Sequence, residues 1–148
     1  MSDGRQTITV TLVQRRDDPF GVDFGAGFPV LVVDDRRPLS DGAGPTPVQR
    51  MAAAVGNCLD ASLTFALHKF KEQPGPLHGE VGVEAGRNPQ GRLRALSMQA
   101  RLRLGNPAES QLSRALGQFM DFCTVTQSVR EAIPVAVQVF DSHGVQLQ

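Results

Sequence analysis

The chain has 148 residues, 41% of them apolar, with 15 basic and 15 acidic side chains and a net charge of zero. That length fits one globular domain, residues 1–148, able to bury roughly 70% of its unfolded surface without a metal or a disulfide. The balanced charge excludes the basic footprint of a nucleic-acid binder, and no run approaches the ~20 apolar residues needed to cross a bilayer.

The first third reads as strands. Ile8, Val10 and Leu12 alternate with threonines, the period of a half-buried strand. Phe20 to Phe24 and Phe28 to Val33 are two further β-rich runs, joined by Gly25-Ala26-Gly27 in the manner of a hairpin. Residues 34–45 are polar and rich in Gly and Pro, a long loop. Thr46-Pro47-Val48-Gln49 then carries a helix start: a capping hydroxyl, proline at the first helical position, and Gln three residues after the cap. From Met51 to Phe70 apolar residues lie on nearly all sides, which predicts a buried helix. Gln73-Pro74-Gly75-Pro76 stops it.

Glu80 to Glu84 alternates as a strand, and Asn88-Pro89 marks a turn. From Leu96 to Leu104 the even positions are apolar and the odd ones polar, which predicts a half-buried antiparallel strand. A second helix is expected from Asn106-Pro107-Ala108-Glu109, with Cys123 on its core-facing stripe. A third is expected from Thr124, with Thr124 as its cap and Pro134 as its breaker. Val135, Val137 and Val139 give a last strand. The predicted order is β-β-β-α-β-β-α-α-β, an α+β domain with a long buried helix on an antiparallel sheet.

Two cysteines draw the chemistry. Cys58 sits among Ala54, Val55, Ala61, Ser62 and Phe65 on one helix face; it is either a small buried hydrophobe or half of a redox pair. Cys123 lies just before a helix N-terminus, where unpaired N–H groups favour a thiolate. The opening residues Met1 to Arg5 lack the apolar stretch of a secretory signal, so the expected compartment is the cytoplasm, where two cysteines are not a permanent staple. Arg92, Arg94, Arg101 and Arg103 alternate with apolar residues and are expected on the solvated face of a sheet. His68, His78 and His143 have no metal-ligand spacing, and no metal is expected.

Gly44-Pro45-Thr46-Pro47, the run Met51-Ala52-Ala53-Ala54-Val55-Gly56-Asn57-Cys58, and Cys123 at a helix junction 65 positions later resemble the OsmC/Ohr family over nearly the whole chain. The resemblance implies an intertwined homodimer that reduces alkyl or fatty-acid hydroperoxides, without a bound cofactor. Cys58 would be the peroxidatic thiol and Cys123 the resolving one, recycled by an external dithiol of lipoyl or other type. It further implies an arginine from the loop ahead of the long helix, for which Arg37 stands nearest. Arg36, Gln49, Val55 and Phe65 are the expected substrate-binding residues, and Arg15 and Arg16 are the weaker arginine candidates.

Three positions depart from the family pattern. Val48 occupies the place of a glutamate that holds the arginine, and Thr124 follows Cys123 where proline is common. Asn57 and Asp60 flank Cys58 with polar groups, and a carboxylate near a thiolate would raise its pKa. These departures motivate a second expectation: a non-catalytic relative that binds a small apolar ligand at the dimer interface.

Overall fold

Alternating residues become a paired strand only where a neighbour can hydrogen-bond to them. In this computed structural model, which describes residues 4–15, 19–107 and 112–148, the alternation that begins at Thr7 forms a strand only over Thr11–Gln14 (β1). Its partner β2, Phe20–Asp23, ends opposite Thr11, so the residues before Thr11 have no ladder to join. β3, Leu31–Val33, completes an antiparallel meander in the order β1-β2-β3. The expected run from Phe28 likewise shortens, because β2 supplies partners only for Leu31 to Val33.

The β2–β3 connection turns through Gly25, Ala26 and Gly27, all at positive φ, with Phe28 N–H closing onto the Gly25 carbonyl. Two of those three positions are glycine, which adopts that conformation without a Cβ penalty. The Asp34 carboxylate then stitches the long loop by accepting from Ala43 N–H at 2.8 Å. Gly44 passes so close to the Val32 carbonyl that no side chain fits there.

The chain forms two compact units, Met1–Arg50 and Met51–Gln148. The long helix α1, Pro47–Lys69, starts in the first. Its capping box is reciprocal: Thr46 N–H donates to Gln49 Oε1 at 2.9 Å, and Gln49 N–H donates to Thr46 Oγ1 at 3.2 Å. Such a cap is worth about 1 kcal/mol. The helix ends one turn before Pro74, in a Schellman motif: Glu72 N–H bonds Leu67 O and Lys71 N–H bonds His68 O, with Lys71 at φ +60°.

The second unit packs α1 on a sheet ordered β4-β5-β6, made of His78–Arg87, Leu93–Arg103 and Val135–Phe140. The expected antiparallel pairing holds for β4 with β5, whereas β6 joins β5 in parallel. A parallel neighbour requires a crossover. It runs through α2, Leu112–Gln118, a 3-10 turn at Phe119–Phe122, and α3, Thr124–Val129. The expected start of the second helix at Ala108-Glu109 lies outside the described residues. α3 ends earlier than Pro134 requires, because Ala132 and Ile133 N–H both turn back to Val129 O.

The period-2 pattern places Met98, Ala100, Leu102 and Leu104 against Val55, Leu59, Leu63, Ala66 and Leu67 of α1 in one core, which also holds Phe119 and Cys123. Arg101 and Arg103 stand on the opposite, exposed side, as the alternation predicts, and Arg94, of the other parity, is exposed beyond the register shift at Glu84/Ala85. The α+β order read from the sequence is the order observed.

Candidate functional site: a buried thiol pair

Cys58 lies midway along α1 and is half-buried, while Cys123 is fully buried. The fold brings the two thiols together, so that a side-chain hydrogen bond between Cys58 and Cys123 bears on the ionisation of Cys123. Both are free thiols. Burial pushes the Cys123 pKa up, and the bond to Cys58 pushes it further in the same direction. The Thr126 hydroxyl and backbone N–H pull the other way, with Cys123 Sγ and Thr126 Oγ1 hydrogen-bonded at 2.8 Å. Burial thus favours the protonated form of Cys123.

The local backbone explains this placement. Cys123 occupies the N-cap of α3, correcting the expectation that Thr124 would. Thr124 is instead the first helical residue, and Thr126, fully buried, sits three positions after the cap, where a helix start brings a side chain back over it. Gln127 donates its side-chain N–H to Met120 O at 3.0 Å, tying the new helix to the 3-10 turn before it. Thr126 was not singled out in the sequence, though the cap spacing from Cys123 was there to be read.

The Asp60 carboxylate turns to β4, where a Cβ on Gly79 would meet its Oδ2 at 2.5 Å. Burial raises its pKa, and the charge of His78 opposes that rise. Oδ1 is buried without a hydrogen-bond partner.

Phe65 is 58% exposed and meets Phe122 edge to face, with ring centroids 5.6 Å apart. Lys69 Nζ lies 5.9 Å from the Phe122 ring. Two turns along α1 from Cys58, an open aromatic surface thus adjoins the residue before Cys123. Val55, by contrast, is fully buried in the core.

The remaining expected residues belong to the first unit. Arg37 is 84% exposed and pairs with Asp41 at 3.3 Å. Arg36 is exposed, its N–H given to Asp35 Oδ1. Gln49 commits its side-chain carbonyl to the α1 cap. Arg15 lies against Gly21, and Arg16 falls outside the described residues. Arg50, not considered in the sequence reading, lines a pocket of about 420 Å³ with Asp34, Asp35, Ser40 and Phe20; its Nε is buried without a partner. The Ser40 hydroxyl and the Ala43 N–H hold the Asp34 carboxyl below its ordinary pKa. Among the described residues, no group of three His, Cys, Asp or Glu side chains is arranged to hold a metal, and no helix is long and apolar enough to cross a membrane.

Residues 40–138 match the family of OsmC-like proteins. No curated protein matches the sequence. Among solved structures, an OsmC-like protein of Vibrio cholerae is similar, with a TM-score of 0.77 at 14% identity over 92% of this chain and 100% of that one. An OsmC-like protein of Mycoplasma pneumoniae gives 0.75 at 16% identity over 93% and 99%. An organic hydroperoxide resistance protein of Elizabethkingia anophelis gives 0.72 at 18% identity over 93% and 97%. At these identities the likeness is one of fold.

Proposed function

The chain belongs to the family of OsmC-like proteins, and from that premise we propose that it reduces organic hydroperoxides with the thiols of Cys58 and Cys123. The observation that carries this reading is that the buried Cys123 thiol lies within hydrogen-bonding reach of Cys58. Two sulfurs in hydrogen-bonding contact need little movement to become a disulfide. The raised pKa of Cys123 suits it to the resolving role, since the thiolate is the attacking nucleophile and the thiol is not.

In this scheme the Cys58 thiolate attacks the outer peroxide oxygen. An S–O bond forms, the O–O bond breaks, and the alkoxide leaves as alcohol after taking a proton. Cys58 becomes a sulfenic acid. The Cys123 sulfur then attacks the Cys58 sulfur, its proton leaving with the sulfenic oxygen as water, and a disulfide closes. An external dithiol, of lipoyl or other type, returns both thiols by exchange. The core residues around the pair and the open rings of Phe65 and Phe122 favour a substrate with an apolar body over hydrogen peroxide. On the family resemblance, Arg37 is the arginine proposed to favour ionisation of Cys58, with Arg36, Gln49, Val55 and Phe65 contributing to substrate binding. The exposed apolar residues of the first unit support a homodimer, and the cytoplasm remains the proposed compartment.

The test is peroxide consumption with an alkyl hydroperoxide and a dithiol. Wild type turns over, Cys58→Ser does not, and Cys123→Ser traps the sulfenic acid. Activity in wild type no greater than in Cys58→Ser rules the reading out. A second reading, a non-catalytic protein that binds a small apolar ligand, rests on Val48 standing where the family pattern has glutamate. A fluorescent apolar probe that binds while neither thiol oxidises on addition of peroxide would select it.

A further inference from the structure

The open face of the second sheet carries a pocket of about 390 Å³, lined by His78, Glu80, Arg101, Arg103, Phe140 and Gly144. It lies on the side of β5 away from the thiol pair, because Arg101 and Arg103 alternate with the core residues Ala100, Leu102 and Leu104. From this arrangement we propose that the pocket is a binding site for a small organic anion, recognised through a phosphate or carboxylate group by Arg101 and Arg103.

Both guanidinium groups are held in place. Arg101 stacks over the Phe140 ring, 5.2 Å from its centroid. Arg103 donates from Nη2 to Ser142 O at 2.7 Å. The stack leaves the N–H edge of Arg101 available, since its planar fork donates in the plane and not through the face. Glu80 stands opposite Arg101 in the β4–β5 register, yet among the described residues the two form no ion pair; the guanidinium lies over the ring instead.

Residues two apart on a strand place their side chains on one face, about 7 Å apart along the chain. Two cations so placed repel, and Glu80 alone lines the pocket with the opposite charge. An oxyanion between them removes that repulsion and can accept charge-assisted hydrogen bonds from both. His78, opposite Arg103 in the register, also lines the pocket.

The far wall is braced as well. Asp141 Oδ1 accepts from His143 N–H and Val145 N–H, each at 2.9 Å, and Gly144 sits at φ +81° in that turn. The pocket is larger than a bare phosphate or carboxylate, so the ligand carries an organic body beside the charged group.

The experiment follows the arginine side-chain N–H resonances of the full chain by NMR. Inorganic phosphate and succinate are titrated separately, with sodium chloride at matched ionic strength as control. The expected result is saturable shifts with phosphate, succinate or both, and which of them binds identifies the anion class. Arg103→Gln should weaken binding about tenfold. R101Q/R103Q should abolish it, while Arg94→Gln, exposed farther along the same strand, binds as wild type. Shifts no larger than those with chloride, or wild-type affinity in Arg103→Gln, would overturn the proposal. Peroxidase activity is not part of the readout.

Discussion

The protonated form of Cys123 is favoured for two reasons that act together. Burial makes an anion costly there, and the hydrogen bond and charge of the adjacent Cys58 act on Cys123 in the same direction. Thr126 opposes both by offering donors to a thiolate. Removing Cys58 removes both of its raising influences on Cys123, so the sign of the response is fixed. In Cys58→Ala, alkylation of Cys123 by iodoacetamide should reach its midpoint at a lower pH than in wild type, resolved by peptide mass. An unchanged or higher midpoint would mean that the two sulfurs do not share a proton. Residue type and position left Cys58 with two open readings, since a helix face of alanine, valine and phenylalanine suits a core cysteine equally well. Neighbours across the fold, such as Cys123 beside Cys58 or Asp60 beside Gly79, come from packing that no local pattern encodes.

Elements formed where pattern and partner agreed. The capping box at Thr46 and the alternation of β5 are local, and both were legible. The strand lengths of the first sheet depend on how far β2 reaches, and the parallel placement of β6 depends on the crossover before it, so neither could be read from its own residues. Asp60 shows the same point energetically: polar on a buried helix, it meets β4 with one oxygen unpartnered. Its folded pKa is raised, so the folded state holds that proton more tightly than the unfolded chain does. Stability from this group is therefore greatest below the ordinary aspartate range and is lost as pH rises through the raised value. Asp60→Asn should stabilise the protein at neutral pH, by about 1 kcal/mol or less since the group is partly solvated. Urea unfolding should show that gain shrink to nothing in acid. A variant less stable than wild type at neutral pH would show that the charge is compensated by His78.

At the scale of the molecule, the first fifty residues expose more apolar surface than a solitary sheet tolerates. Ile8 is 79% exposed, Val13 62% and Phe28 63%, with Leu12, Phe24 and Val30 also open. Three strands of three or four residues are marginal without a layer to pack on, and contiguous exposed apolar patches on soluble chains mark interaction surfaces. Among the described residues, those before Thr11 join no ladder, and an unpaired edge is a ready template for pairing. A second copy of the chain is the partner the family resemblance implies, and it would supply both a layer and an edge. Sedimentation equilibrium should then give a dimer at micromolar concentration. Leu12→Glu combined with Phe28→Glu should shift the protein towards monomer and lower its melting temperature, because burying two carboxylates in an apolar interface costs several kcal/mol. Wild type that sediments as a monomer at tens of micromolar, well above the Kd of a stable interface, would leave this sheet to another partner.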